Sequence, residues 1–575
     1  MSPSSITNAA LTACMNMCYY LDHLSDGMAV VRLKKRQGTE LISASAIDSP
    51  ILACTYYYAG KRYVIATESK LYELDDDLEP SELGSLSGIP TFTEFNGKLI
   101  IHDGAVTKCL DGTDFALLNS YYKDEILGTG NNSTTNFSGT LDNPVVEAGT
   151  LVITYTDGTT KTLTDQGDGT LTGDGTGTIV YSTGAWTIAC SGAPDNTTSI
   201  YAEYEKVGGA PKSKAGFVRA SRLYMWGDSD NASRIWYSGP NDAEDWGGSS
   251  GGYIDVDALD GQTLVGCLNY FSSIIVMKEN SLHRIDNFPG DTDFAVQPLM
   301  DNTGALAYRT CLNDGNVISF LSKQGWIGLT STSAFGDIAK SDELSANFRG
   351  DAIKYATSNC YAEYNQLDHQ LWLSVYNGTV QQPYVYVVSL DTGKQLSLYK
   401  FAFGHTCYKF VNDEMLIGGS DGNLYRLYSG SFRRYDDNSV SYSSDTMFKT
   451  AATNWGVPFN RKHNKKFFVH AYGESGMTAT VNIYKDGSYF TPIYTGTIAL
   501  GTSDIFIYGD DEPIYGDTGL IAEDRYSENN QSIPCKFNYS EVMVEVTDID
   551  GSNGAEFAGI DFTGAILGGR LNGDF

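Results

Sequence analysis

Carboxylates are the most abundant reactive side chains, and they come in runs: Asp75-Asp76-Asp77, Asp242/Glu244/Asp245 and Asp510-Asp511-Glu512. A glycosidase needs two carboxyl groups facing each other across a cleft, one with a raised pKa. Acids adjacent in a turn share solvent and point outward, so these runs read as solvated loops. Residues 165–177, DQGDGTLTGDGTG, suggest a calcium loop, but the order D-x-[DN]-x-[DN]-G and the closing bidentate Glu are missing. Turn glycines account for this segment better. The seven histidines (23, 102, 283, 369, 405, 463, 470) show no paired metal spacing. The ten cysteines stand singly, without C-x-x-C or zinc-like spacing, and several lie in apolar runs (Cys267, Cys360). They read as buried reduced thiols of a chain folded in a cytoplasm. There is no phosphate-cradling glycine loop. The expectation is therefore no catalytic residue, no metal and no cofactor.

Two basic segments break an acidic background: Asn460-Arg461-Lys462-His463-Asn464-Lys465-Lys466 and Arg32-Leu33-Lys34-Lys35-Arg36. A local reversal of sign suits docking to an acidic neighbour or a like subunit. Arg461, Lys462, Lys465 and Lys466 are the candidate assembly contact. The alternative is a solvated polar turn ahead of the strand FFVHAY.

The elements that must carry these residues are strands. KRYVIAT (61–67), GKLIIHD (97–103), NVISFLS (316–322), QLWLSVY (370–376) and PYVYVVSL (383–390) are short, β-branched or aromatic, and bounded by turn residues. Asp-Gly or Asn-Gly recurs at 111, 314, 377, 421 and 486, supplying the positive φ of tight hairpins. The best helix is SDELSANFRG (341–350), with Ser341 as N-cap and Gly350 as its stop.

Strand ends repeat. ESKLYEL (68–74), ENSLHRI (279–285), KQGWIGL (323–329) and SDGNLYRL (420–427) share a turn followed by apolar-aromatic alternation, with weaker copies at 104–110, 221–226 and 383–387. The 353 residues from Leu71 to Leu424, less a Thr/Gly/Asp-rich stretch of 83 (124–206), divide into six steps of about 45. That is the period of β-propeller blades, which bury their faces only by stacking on neighbours. The predicted fold is all-β: a six- or seven-bladed propeller with an inserted β-sandwich and a C-terminal β domain. Its divisions are an N-terminal arm (1–45), propeller (46–123), inserted module (124–206), propeller (207–434) and C-terminal domain (435–575).

The chain has 575 residues and a net charge of −31. It is 19% charged, 41% hydrophobic and 12% aromatic, which excludes disorder. Its charge excludes a broad nucleic-acid-binding face. No apolar run reaches the roughly 18 residues of a spanning helix, so no membrane insertion is expected.

Four segments taken in order carry a resemblance: AGFVRASRLYMWGD (215–228), SRIWYSGPNDAEDWGG (233–248), GQTLVGCLNYFSSIIVMKENSLHRI (261–285) and NVISFLSKQGWIGL (316–329). The series resembles the tail propeller proteins of bacteriophages, the tail nozzle and packaged-DNA stabilisation proteins of short-tailed phages, over residues 10–430. The resemblance implies a virion tail protein assembled in the host cytoplasm, with no catalytic residue. It implies a homo-oligomeric ring, commonly a hexamer, below portal and adaptor (the head-to-tail connector), partnered by tail needle, plug or fibre proteins. Such a ring retains packaged DNA and passes it at ejection. A carboxylate-lined lumen repels phosphates, so duplex DNA slides through without specific binding. A different class, a glycan-binding adhesin propeller on a host surface, is the alternative. A propeller glycoside hydrolase is a third, disfavoured by the absence of S-x-D-x-G-x-T-W boxes.

Overall fold

Strand after strand pairs with its sequence neighbour. In the computed structural model the described residues are 11–23, 29–246, 250–286, 294–315, 317–331, 338–375, 384–427, 446–452, 462–473, 478–488, 490–500, 527–533, 536–539, 541–547, 549 and 555–566. They fall into two compact units, one of residues 1–54, 77–80 and 307–575, the other of residues 55–76 and 81–306.

The fold is all-β and of propeller type. Six separate four-stranded antiparallel sheets span 53–85, 91–117, 215–255, 264–301, 312–343 and 405–427. The last takes its fourth strand, Thr39–Leu41, from the N-terminal segment, which pairs with Leu424–Leu427. A seventh meander of the same form, 361–399, continues into a wider sheet. The repeat seen in the sequence has a structural meaning. Lys70–Leu74, Ser281–Asp286, Gly325–Ser331 and Leu424–Leu427 are each the third strand of their sheet. So are Lys108–Asp111 and Val385–Ser389 among the weaker copies, whereas Arg222–Trp226 is a second strand. Most third strands are largely buried: Val385–Ser389 throughout, and Ser281–Asp286 and Leu424–Leu427 at all but one or two positions, as expected of strands covered on both faces. At Gly422 the turn closes on the N-terminal segment with φ +80°, and a Cβ would stand 1.9 Å from the Ile47 carbonyl oxygen, so glycine is required.

The expected helix over 341–350 is a strand in its first part. Ile338–Glu343 is the fourth strand of the 312–343 sheet, and the helix spans Arg349–Lys354. Ladder pairing with Gly325–Ser331 overrides the local capping signal.

The inserted module is one continuous eight-stranded antiparallel sheet, not two separate stacked sheets. It encloses a single core that includes Leu151, Ile153, Leu163, Trp186, Ile188 and Ile200. Its pairing begins at Ser120 opposite Lys206, four residues before the expected boundary at 124.

The N-terminal arm and the C-terminal domain are one body. Leu11–Met15 runs parallel to Gln395–Tyr399 and antiparallel to Met447–Thr450, joining the 361–399 meander to C-terminal strands in a nine-stranded sheet. Met17–His23 and Ala29–Lys35 form a hairpin that extends a second sheet through Ala555–Ile566, Lys462–Gly473 and Ser527–Ile533. Met17, Tyr19 and Leu33 sit in one core with Phe448, Val481, Val544 and Phe557. The division expected at 435 therefore omits strands that the C-terminal sheets need.

Candidate assembly surface

The basic segment at 461–466 differs from a polar turn. Strand Lys462–Gly473 already begins there, with Lys462 opposite Tyr539 and Ile566. Lys462 is 4% exposed, its ammonium 5.9 Å from the Tyr539 ring centroid, and Asn464 is buried while His463 is half-buried. Ladder pairing on both sides buries the lysine stem against an aromatic face. Lys462 is thus withdrawn from the candidate contact. Arg461 and the side chains of Lys465 and Lys466 lie outside the described residues.

The other basic segment turns inward at its end, with Arg32 and Lys34 half-buried. Lys35 and Arg36 are buried. Arg36 donates from Nε to Asn16 Oδ1 (2.9 Å) and from its terminal nitrogens to the carbonyls of Gln37 and Lys400 (2.9 Å each). Its guanidinium lies 4.6 Å from the Phe401 ring centroid. Asn16, with φ +52°, also accepts from the Lys400 N–H at 2.8 Å. This network clamps the arm onto the 361–399 meander, because each buried carbonyl needs a donor.

The acidic motifs do separate jobs. Asp242 accepts from the Glu244 N–H at 2.9 Å, Glu244 from Lys98 at 3.1 Å, and Asp245 from the Ser250 hydroxyl. In the 165–177 segment, Asp165 accepts from Gly149, Gly167 and Tyr181, Asp168 from Thr170, and Asp174 from Thr162. Asp168 and Asp242 cap their own turns, whereas Asp165, Asp174 and Glu244 tie neighbouring strands and turns together, and these carboxylates do not converge as a glycosidase pair would. Asp75–Asp77 are exposed, and 510–512 lie outside the described residues.

Asp257, Asp260 and His283 bring ligand atoms within 4.8 Å of one another. The cation there is internal. The fully buried Lys278 ammonium donates to both Asp260 oxygens at 2.8 Å and to the Asp257 carbonyl at 2.9 Å. Burial and this ammonium lower the His283 pKa. The Lys278 ammonium thus already supplies the positive charge that Asp260 requires.

Two serine–histidine pairs were not foreseeable from spacing. His102 Nδ1 lies 2.6 Å from Ser213 Oγ and Nε2 lies 3.1 Å from Thr93 Oγ1, with Ser213 Oγ 2.8 Å from Thr107 Oγ1. His405 Nε2 lies 3.1 Å from Ser374 Oγ, which is 2.9 Å from the Tyr408 hydroxyl. Burial pushes both histidines down to about 3. They are neutral, satisfied and enclosed: His102 ties its own sheet to the loop at Ser213, and His405 joins its sheet to the 361–399 meander. A hydrolase would need such a serine at a surface a substrate reaches.

The inserted module carries a surface that the sequence reading missed. Asn136–Thr140, Ala185–Cys190 and Gly175–Val180 lie side by side. Register aligns Ser138, Thr187 and Thr178 in one row and Asn136, Ala189 and Thr176 in the next. The Thr178 and Thr187 hydroxyls are 2.8 Å apart, and the rows line an uncharged groove of about 490 Å³. Cross-strand pairing brings these hydroxyls together, and their spacing in the sequence does not show it.

Among the described residues no helix is long and apolar enough to cross a membrane. No protein-family model matches the chain, and no curated protein matches it. Solved structures with some similarity include a luciferin-regenerating enzyme, 11% identical over 52% of this chain and 96% of that one, with a TM-score of 0.25. Others are XC5397 from Xanthomonas campestris, a gluconolactonase (10%, 69% and 89%, TM-score 0.26), and BamB from Moraxella catarrhalis (10%, 53% and 97%, TM-score 0.21). Two of these three are enzymes, at identities that carry no function across. The propeller assignment rests on the repeated four-stranded sheets of this chain.

Proposed function

We propose that the chain is a virion structural protein without enzymatic activity. It forms the nozzle ring of a phage tail, in which like copies surround a passage for duplex DNA. The observation that carries this reading is the ordered series 215–228, 233–248, 261–285 and 316–329, which falls on three blades consecutive in sequence. The net charge of −31 suits a wall that DNA passes without sticking. The reading assigns the contacts of Arg461, Lys465 and Lys466 to a neighbouring copy or to the tail adaptor. Negative-stain imaging of the purified chain, alongside a gel-shift assay with a short duplex at low salt, tests it. The expected result is rings with a channel as wide as duplex DNA and no retardation of the duplex. Single particles without a channel, or tight duplex binding, contradict it.

A second reading is favoured by the hydroxyl-lined groove of the inserted module: binding of a neutral glycan on a host surface. A charge-free face rich in threonine hydroxyls suits an uncharged polyhydroxyl ligand. Thr187→Lys would abolish glycan-array signal on this reading while leaving the module folded. An array silent with the parent chain removes it.

A further inference from the structure

Cys54 and Cys407 stand with their sulfur atoms 3.8 Å apart, within thiol hydrogen-bond reach. Cys54 lies on strand Ala53–Tyr57 and Cys407 on strand His405–Val411, 353 residues later. Both are buried, at 4% and 1% exposure. The Cys407 sulfur has a fitted seat. Its cross-strand partner is Gly418, where a Cβ would come within 2.5 Å of it. Its thiol also reaches the Ile51 carbonyl at 3.5 Å. Two cations and one carboxylate act on the pair. Arg309 donates to the Leu52 carbonyl at 2.5 Å, and Lys409, two residues beyond Cys407, pairs with Glu363 at 3.3 Å. Burial raises a thiol, but for Cys407 the Cys54 thiol, the Arg309 charge and the Gly418 N–H outweigh it and hold it below the ordinary range. Cys54, facing that sulfur, is held well above. The two sulfurs face each other at 3.8 Å, and the Arg309 charge favours the thiolate of Cys407.

We propose that Cys54 and Cys407 form an oxidation site at which a peroxide-class oxidant makes a disulfide. Cys407 gives up its proton and the thiolate attacks one peroxide oxygen; the O–O bond breaks, a sulfenic acid forms, and the leaving hydroxide takes up that proton as water. The Cys54 sulfur then attacks the sulfenic sulfur, the S–O bond breaks, and the departing hydroxide takes the Cys54 proton as water. Two thiols give two electrons, peroxide is reduced, and two waters result. Local opening of the sheets admits so small an oxidant.

The place of the pair gives the bond its consequence. Here the N-terminal segment is joined to the 405–427 sheet by Thr39–Leu41 and by the N–H groups of Ile42, Ile47 and Ile51, which donate to Leu424, Gly422 and Gly419. These are all non-covalent links. A disulfide would add a covalent closure spanning 353 residues, the long-loop case in which the unfolded chain loses most freedom.

The test uses the full chain treated with a slight excess of hydrogen peroxide, then alkylated in denaturant, digested and mapped by mass spectrometry. The expected result is a Cys54–Cys407 cross-linked peptide that dithiothreitol removes, with a melting midpoint raised by a few degrees. In Cys54→Ser the cross-link is absent and Cys407 stops at a sulfenic acid that dimedone captures. Full alkylation of both cysteines in the treated parent chain overturns the proposal, and this reading needs no variant to fold. Cross-links from Cys54 or Cys407 to other cysteines in place of each other overturn it equally.

Discussion

His102 and His405 show what burial does to a residue that looked available for chemistry. Both are enclosed among hydroxyls, and burial pushes both down to about 3. An unfolded histidine takes up its proton near 6.5. Between those values the unfolded chain binds the proton and the folded chain does not, so acidification favours unfolding. The stability each contributes is complete above about pH 6.5 and is lost as the pH falls toward 3. The slope is about 1.4 kcal/mol per pH unit per histidine. Urea titrations from pH 7 to 4 should show this loss, and His102→Gln should flatten the slope. An unchanged slope would place the linkage elsewhere. Lys278 is the second test at this scale. Removing one partner of a buried pair leaves the other uncompensated, so Lys278→Met should cost about 3–5 kcal/mol. Pairing it with Asp260→Leu should recover much of that loss in chemical denaturation. Sequence spacing offered the histidines no partners because those partners lie far along the chain: Ser213 is 111 residues from His102, and Ser374 is 31 from His405.

At the scale of elements, the period of about 45 was legible because third strands carry a turn and then alternating apolar residues, and six of the seven copies are third strands. What stayed hidden was the traffic between distant strands. The hairpin 17–35 reads as an arm, yet it supplies Met17, Tyr19 and Leu33 to the C-terminal core, and Arg36 fastens it to Lys400. Arg36→Ala leaves buried carbonyls without donors and should cost about 2–4 kcal/mol. Limited proteolysis should then release the C-terminal sheets first, and a protease pattern like that of the parent would contradict the clamp. The helix expected at 341–350 failed for the same reason, since a ladder partner outranks a local cap. The inserted module has its own core, and its ends meet at Ser120 opposite Lys206. Replacing 120–206 by a short Gly/Ser linker should leave the rest soluble with a cooperative melt, because loop closure depends weakly on length. Molten or insoluble protein would make the module part of the propeller core.

For the whole molecule, the net charge of −31 bears on how copies would meet in the proposed ring. Like-charged subunits associate through local patches of opposite sign, and such contacts are strongest where screening is least. The candidate contact was legible only as a run of basic residues. Strand pairing then took Lys462 into the fold, a change that composition does not signal. Reversing Arg461, Lys465 and Lys466 together to Glu should weaken assembly at low salt more than at high salt, with folding retained. Equal sedimentation of variant and parent at both salts would return the patch to bulk solvent.

If the chain works as a ring of like copies, its mass in solution must show it. Light scattering on the purified full chain, at low and high salt over a hundredfold range of concentration, reads that mass without labels or partners. The account predicts a closed species at a fixed multiple of the 62.5 kDa chain, with six copies the multiple the family resemblance implies. A mass of one chain under every condition would contradict it.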